Sequence, residues 1–146
     1  MNMMKRDLSE PYPIYTYRYF VQQWPQYTLL AIDSNNIIVG AVVSKLAPHT
    51  KPGLSHPIIR NRGYIAMLSV EPEYRRCGLG KELVTKSIDL MVKDGADEIM
   101  LETEVTNLAA LGLYESLGFI KDKRLCAYYL NGIDAYRLKL IITPQI

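Results

Sequence analysis

The segment Arg75-Arg76-Cys77-Gly78-Leu79-Gly80 follows an apolar stretch, Tyr64 to Val70, and opens an amphipathic one. Strand, glycine turn and helix start in that order constrain both fold and chemistry. The glycines let backbone N–H groups converge without Cβ obstruction, and the helix that follows adds the positive end of its dipole. A pyrophosphate fits such a turn, which points to a phosphate-bearing cofactor; an ordinary strand-to-helix turn that uses glycine for geometry is the other reading of these six residues. Two phosphate motifs do not fit. A P-loop places a glycine five positions before its Gly-Lys pair, but Arg75 stands there ahead of Gly80-Lys81, and Glu82 replaces the Ser or Thr that would hold magnesium. The dinucleotide fingerprint needs a third glycine where Leu83 stands.

Composition narrows the classes. At 146 residues the chain is expected to be one domain, residues 1–146, burying about two thirds of the surface its unfolded form exposes. A net charge of +2 with 22% charged residues provides no extended basic tract, so no direct nucleic-acid partner is expected. Cys77 and Cys126 lack a metal-ligand spacing, and His49 and His56 lie in a loop-like stretch without nearby acidic ligands, so no metal is expected. The N-terminus, Met1 to Arg6, lacks an apolar signal core, and no run approaches the ~20 apolar residues that span a bilayer. The expectation is a soluble cytoplasmic protein with no membrane partner.

Along the chain, Ser9 to Pro13 reads as a loop entering a short helix, with Tyr12, Tyr15 and Tyr19 at helical spacing and an end near Trp24-Pro25. Tyr15 and Tyr19 are expected to face the core. Tyr27 to Ile32 and Ile37 to Ser44 flank Asp33-Ser34-Asn35-Asn36 as an antiparallel hairpin. Ala47 to Arg62 carries three prolines and little periodicity, which predicts a surface loop. Tyr64 to Val70 is apolar on both faces, as in the middle of a sheet. The helix after the glycine turn shows Val84, Ile88, Met91 and Val92 on one side and Glu82, Lys86, Asp89 and Lys93 on the other. Glu98 to Val105 is a further strand; Asn107 caps a helix running to Leu117 with Gly118 as its stop, and Phe119 resumes a strand. Ala127 to Leu130 and Ala135 to Leu140, around Asn131-Gly132, predict a hairpin. This mixed order points to an α/β fold with one largely mixed sheet.

The glycine loop Arg-x-x-Gly-x-Gly resembles the acetyl-CoA pyrophosphate loop of the GCN5-related N-acetyltransferase superfamily. Leu101-Glu102-Thr103-Glu104-Val105, then Asn107-Leu108-Ala109-Ala110, then Tyr114-Glu115-Ser116-Leu117-Gly118-Phe119 resemble its second acetyl-CoA motif. Ser9-Glu10-Pro11-Tyr12, Tyr17-Arg18-Tyr19-Phe20, Arg62-Gly63-Tyr64-Ile65, Glu98 to Glu104 and Tyr128-Tyr129-Leu130-Asn131-Gly132 are similar to the catalytic subunits of NatC-type N-terminal acetyltransferases, over residues 8 to 140. The resemblance implies a twisted, mostly antiparallel sheet flanked by helices. It also implies acetyl-CoA as co-substrate, acetylation of the α-amine of peptides that begin Met-hydrophobic, and auxiliary subunits working on nascent chains. Members generally begin with an extra strand; with seven residues before Leu8, that N-terminal strand is expected to be absent.

Acetyl transfer needs a free amine, and an N-terminal ammonium with pKa about 8 must first lose a proton. By the resemblance, Glu102 is the general base, acting through water. Glu104 competes, since strand side chains alternate with period 2 and both lie on one face unless a bulge intervenes. Tyr114, again by resemblance, protonates the departing thiolate or orients the reacting groups; otherwise it is a packed helix aromatic. Backbone N–H groups near Leu68 or Ser69 would hold the oxyanion. The resemblance assigns acetyl-CoA to Leu68, Ser69, Val70, Arg75, Arg76, Cys77, Gly78, Leu79, Gly80, Lys81, Asn107, Ala110 and Tyr114, and the peptide to Glu10, Pro11, Tyr12, Tyr128 and Tyr129. Direct attack in a ternary complex is expected, because Cys77 has no evident base partner for an acyl-cysteine route. Two alternatives stay open: acetylation of lysine or a small amine, and a non-catalytic CoA-binding subunit.

Overall fold

The computed structural model describes residue 19 and residues 21–143. Six strands form one sheet in the order β1-β2-β3-β4-β6-β5: β1 Thr28–Ile32, β2 Ile38–Lys51, β3 Ile58–Val70, β4 Glu98–Glu104, β5 Ile120–Leu125 and β6 Ala135–Ile141. Every pairing is antiparallel except β3 with β4. Two helices complete it, α1 (Leu79–Lys93) and α2 (Leu108–Ser116), with 3₁₀ turns at Pro25–Tyr27 and Pro72–Tyr74. Residues 21–23 close a helix just before Trp24, where the first helix was expected to end. The expected N-terminal edge and most of the tyrosine helix fall outside the described residues.

Helix α1 buries Leu83, Val84, Ser87, Ile88 and Met91 against one face of the sheet. Val92, expected on that face, is 37% exposed; Leu83 and Ser87 take part in the seam instead. The core on this side joins Val42, Ile65, Ile99, Leu101 and Leu138 to α1, with Leu111, Tyr114 and Phe119 from the α2 region. Inside it, the Ser44 and Ser87 hydroxyls meet at 2.9 Å, each satisfying the other in a dry environment. A smaller cluster, Ala41, Val43, Ala66 and Met67, occupies the opposite face under Val21 and Trp24. The expectation that β3 is apolar on both faces therefore holds.

A bulge in β3 decides which residues face where. Val43 pairs with Met67 but Ser44 pairs with Ile65, leaving Ala66 as the extra residue. Ala66 and Met67 consequently share a face, and Leu68 and Val70 turn to the α1 side.

Two expectations are corrected. Ala47 to Arg62 is no surface loop: β2 and β3 run on as a paired arm from Ala47↔Arg62 to Lys51↔Ile58, with residues 52–57 as its turn. Pro48 is tolerated there because β1 pairs β2 only as far as Val43, so this part of β2 has a neighbour on one side only among the described strands. Nor do residues 127–130 pair with β6 as a hairpin. Both edges of β6 are taken, by β4 and by β5, so residues 126–134 form a connecting loop. The Asn131-Gly132 turn is still made, with Gly132 at φ +80° and Asn131 Oδ1 accepting from Ile133 N.

Local signals for α2 were accurate. Asn107 Oδ1 accepts from Ala110 N at 3.1 Å as the N-cap, and Gly118 ends the helix at φ +98°. Asn107→Ala should lower unfolding free energy by about 1 kcal/mol in chemical denaturation. Gly63, at the start of the parallel pairing, is closely packed: an added Cβ would lie 2.6 Å from Ile99 Cδ1 and 2.7 Å from Met91 Sδ, both fully buried side chains. Gly63→Ala should cost about 1–3 kcal/mol by the same measurement, with an unchanged denaturant slope.

Candidate functional site

β3 and β4 pair at only three positions, Arg62↔Glu98, Gly63↔Ile99 and Tyr64↔Met100. Beyond them the strands part, and the wedge opens toward the carboxyl ends of both. At its head three elements converge: a Cβ on Gly80 of α1 would lie 3.6 Å from Leu68, 3.7 Å from Val70 and 4.0 Å from Leu113 of α2. The end of β3 runs directly into the glycine turn. Arg75 Nε donates to Val70 O at 2.9 Å, tying turn to strand, so this N–H serves the backbone. Arg76 sits at φ +65° and Gly78 at φ +83°. Gly78 is the N-cap of α1 and makes no side-chain cap hydrogen bond to the first-turn N–H groups. Cys77 Sγ–H donates to Tyr74 O.

On the face opposite α1 a cavity of about 590 Å³ opens beside the wedge. Its floor is Met100 and Glu102 of β4, with Tyr64 of β3 and Arg137 of β6 on either side; Ala47, Pro48 and His49 of the arm form the far wall, with Lys45 and Tyr19 above. The Glu102 side chain is 8% exposed and held twice: Tyr64 Oη donates to Oε2 at 2.5 Å, and Arg137 Nη2 to Oε1 at 3.2 Å. Arg137 lies directly opposite Glu102 in the β4–β6 register. Lys45 Nζ stands 5.6 Å from the Trp24 ring and 5.8 Å from that of Tyr64. Burial and the charge of Arg62 push the His49 imidazole pKa down, so this wall gains little positive charge from it.

The two candidate carboxylates now separate. No bulge interrupts β4 against β6, so Glu102 and Glu104 do share a face. Glu104, however, binds Asn131 Nδ2 at 3.1 Å and Thr106 Oγ1 at 3.4 Å, whereas Glu102 lines the cavity. Tyr114 is 4% exposed, with its ring edge-on to Phe119 at 5.4 Å, in the core beside the wedge and not in the cavity wall. Phe119 is one of its ring partners, and Leu117, the expected packing neighbour, lies against the same core cluster. Ser69 is buried on the stretch of β3 that pairs with β2 and lies past the last β4 pair, Leu68 is half-buried there, and Asn107 is engaged as a cap.

Tyr128 and Tyr129 belong to the 126–134 loop, so they do not alternate along a strand as expected. Tyr129 is buried and Tyr128 half-buried, with rings edge-to-face at 5.2 Å. Tyr19, expected in the core, is 52% exposed and lines the cavity. Glu10, Pro11 and Tyr12 lie outside the described residues. Tyr64 and Arg137 are functional candidates that sequence reasoning missed. Tyr64 stood in a quoted motif, but Arg137 becomes visible only through the β4–β6 register. Among the described residues no group of His, Cys, Asp and Glu could hold a metal, and no helix is long and apolar enough to cross a membrane.

Comparisons with known proteins agree with this geometry. A profile of the Acetyltransferase (GNAT) family matches residues 1–119. N-alpha-acetyltransferase 30 of Xenopus laevis is 56% identical over 140 residues, covering 96% of this chain and 48% of that protein. The human protein of the same name is 55% identical, covering 96% and 36%, so the chain spans half or less of these relatives. The Saccharomyces cerevisiae protein of that name is 50% identical, covering 98% and 80%. A solved structure described as the NatC complex bound to Gag peptide and CoA superposes with a TM-score of 0.88 at 50% identity, covering 97% of this chain and 87% of that one. With a profile match over most of its length and relatives at this identity, the chain belongs to the GNAT family of acetyltransferases.

Proposed function

We propose that this chain is the catalytic subunit of a NatC-type N-terminal acetyltransferase. It would act as one domain in the cytoplasm with auxiliary subunits, transferring acetyl from acetyl-CoA to the α-amine of peptide N-termini that begin Met-hydrophobic. The observation that carries the reading is Glu102: a carboxylate in the cavity beside the strand wedge, ordered by Tyr64 and Arg137. The relatives named N-alpha-acetyltransferase 30 and the NatC complex with peptide and CoA support it.

In this reading acetyl-CoA enters the wedge from the α1 side. Its pyrophosphate rests on the turn Arg75 to Lys81, chiefly on backbone N–H groups, and the segment from Asn107 to Ala110 at the start of α2 flanks it. The thioester carbonyl points at N–H groups of Leu68, Ser69 or Val70, whose β4 side carries no ladder. The peptide enters from the cavity side, against Tyr128 and Tyr129 and the segment Glu10, Pro11 and Tyr12. Glu102, through water, takes the proton of the substrate ammonium, leaving the lone pair free to attack the thioester carbon. Tyr64 on Oε2 and Arg137 on Oε1 fix the orientation of that carboxylate. The C–S bond then breaks, the sulfur takes a proton from the Tyr114 hydroxyl, and the second proton shed by the nitrogen as the amide forms returns to the Tyr114 phenolate. Acetylation of lysine by the same machinery is the competing reading.

CoA release should be followed with three peptides: Met-Leu with a free terminus, Ser-Glu with a free terminus, and an N-blocked peptide containing lysine. Turnover on Met-Leu alone is expected; turnover on the blocked peptide reassigns the substrate to lysine, and acetyl-CoA binding without turnover points to a missing auxiliary subunit or to the non-catalytic role. Glu102→Gln should lower kcat by about 100-fold, since positioned acid–base groups contribute about that much or more. Tyr114→Phe should leave acetyl-CoA affinity unchanged by calorimetry while slowing transfer at least about tenfold; unchanged turnover removes its assigned role.

A further inference from the structure

Glu98, the first residue of β4, has no part in the chemistry above. It is the only charged side chain buried among the described residues, at 1% exposure. Arg62 Nε donates to its Oε2 at 2.6 Å, and Lys51 Nζ reaches its Oε1 at 3.4 Å. Lys51 is on β2 and Arg62 on β3, so one carboxylate grips both legs of the arm and fastens them to the central strand. From β6, Lys139 adds charge on the other side, balanced by Asp122 of β5 at 4.0 Å. Burial disfavours the ionised Glu98, but the Arg62 hydrogen bond and the charges of Arg62, Lys51 and Lys139 outweigh it and hold this carboxyl below the usual range.

The arm is also a wall. Ala47, Pro48, His49 and Arg62 bound the cavity on the side away from Glu102. Beyond the clamp the arm keeps a second, exposed tether, Asn61 N to Asp97 Oδ2 at 2.8 Å and Asp97 N to Asn61 O at 2.8 Å. A buried ion pair of this kind adds little net stability, because desolvation offsets attraction, but its directional bonds fix geometry. Apolar packing holds the sheet around α1.

We propose that Glu98 is a positioning residue for the peptide: by clamping both strands of the arm to β4 it sets the width of the cavity, and so the affinity for the substrate residues that follow the acetylated one. This rests on the cavity being the peptide site. The clamp acts on one wall only, leaving the glycine turn and Glu102 untouched.

The test uses the full chain, acetyl-CoA and a Met-Leu peptide. Glu98→Gln keeps the volume and one acceptor; Lys51→Met removes the more exposed cation and leaves Glu98 paired with Arg62. Peptide KM should rise about 5–10-fold in the first and about 2–3-fold in the second, with kcat and acetyl-CoA KM within about twofold of wild type. Amide exchange across residues 47–62 should quicken in both while that of α1 stays constant. An unchanged peptide KM in both variants, or a parallel loss of kcat and both KM values, overturns the proposal. If Glu98→Gln does not fold, Lys51→Met decides. Transfer by wild type to an N-blocked lysine peptide and not to Met-Leu overturns the proposed function and the peptide role together, while unchanged exchange in the arm overturns the clamp alone.

Discussion

Three consecutive residue pairs hold β3 beside β4, and the site is built on the fact that there are only three. Parallel strands that stayed paired would present a closed ladder with no exposed N–H groups. Here Gly63 admits Ile99 and Met91 close to the β3 backbone, and then the strands separate. The parting leaves the β4 side of Ile65 to Val70 without a paired strand among the described residues, and the proposed function places the acyl group there. The bulge at Ala66 follows inside that free stretch and turns Leu68 and Val70 toward α1. An opening, a donor row and a helix start are thus consequences of one interrupted ladder.

The sheet also sorts three glutamates by neighbour. Glu98, Glu102 and Glu104 project from one face of β4, yet each meets a different element: the arm, the Tyr64 and Arg137 pair, and the loop of residues 126–134. The middle one borders open space. The other two are committed, one to buried cations and one to an asparagine amide, which is why the proposed chemistry is assigned to Glu102.

What the sequence revealed follows from how far apart the interacting residues lie. The Asn107 cap, the Gly118 stop and the β1–β2 hairpin depend on contacts within a few residues and were legible, as were Val84, Ile88 and Met91 of the α1 seam, though Val92 was misplaced there and Leu83 and Ser87 were missed. The arm was hidden by Pro48, Pro52 and Pro57, which read as breakers although two of them sit in the turn and the third lies where β2 lacks a second neighbour. The false hairpin at Asn131-Gly132 had correct turn chemistry but no free strand edge to use. Arg137 was invisible for the same reason: a side chain 35 residues from Glu102 becomes its partner only through sheet order. The glycine turn and the motif around Glu102 were legible as family features, since they are contiguous in the chain.

The hydroxyl pair between Ser44 and Ser87 has a bearing on the far end of α1. Both side chains are fully buried, so sliding the helix along the sheet by a single turn, about 5.4 Å, would strand two polar atoms at a cost of about 1–3 kcal/mol each. Apolar side chains alone tolerate such slippage, since one methyl substitutes for another. The serines act as an index mark: they tell the helix where along β2 to stop. Because the glycine turn is rigidly continuous with the first residues of α1, that mark sets the height at which its N–H groups meet the mouth of the wedge.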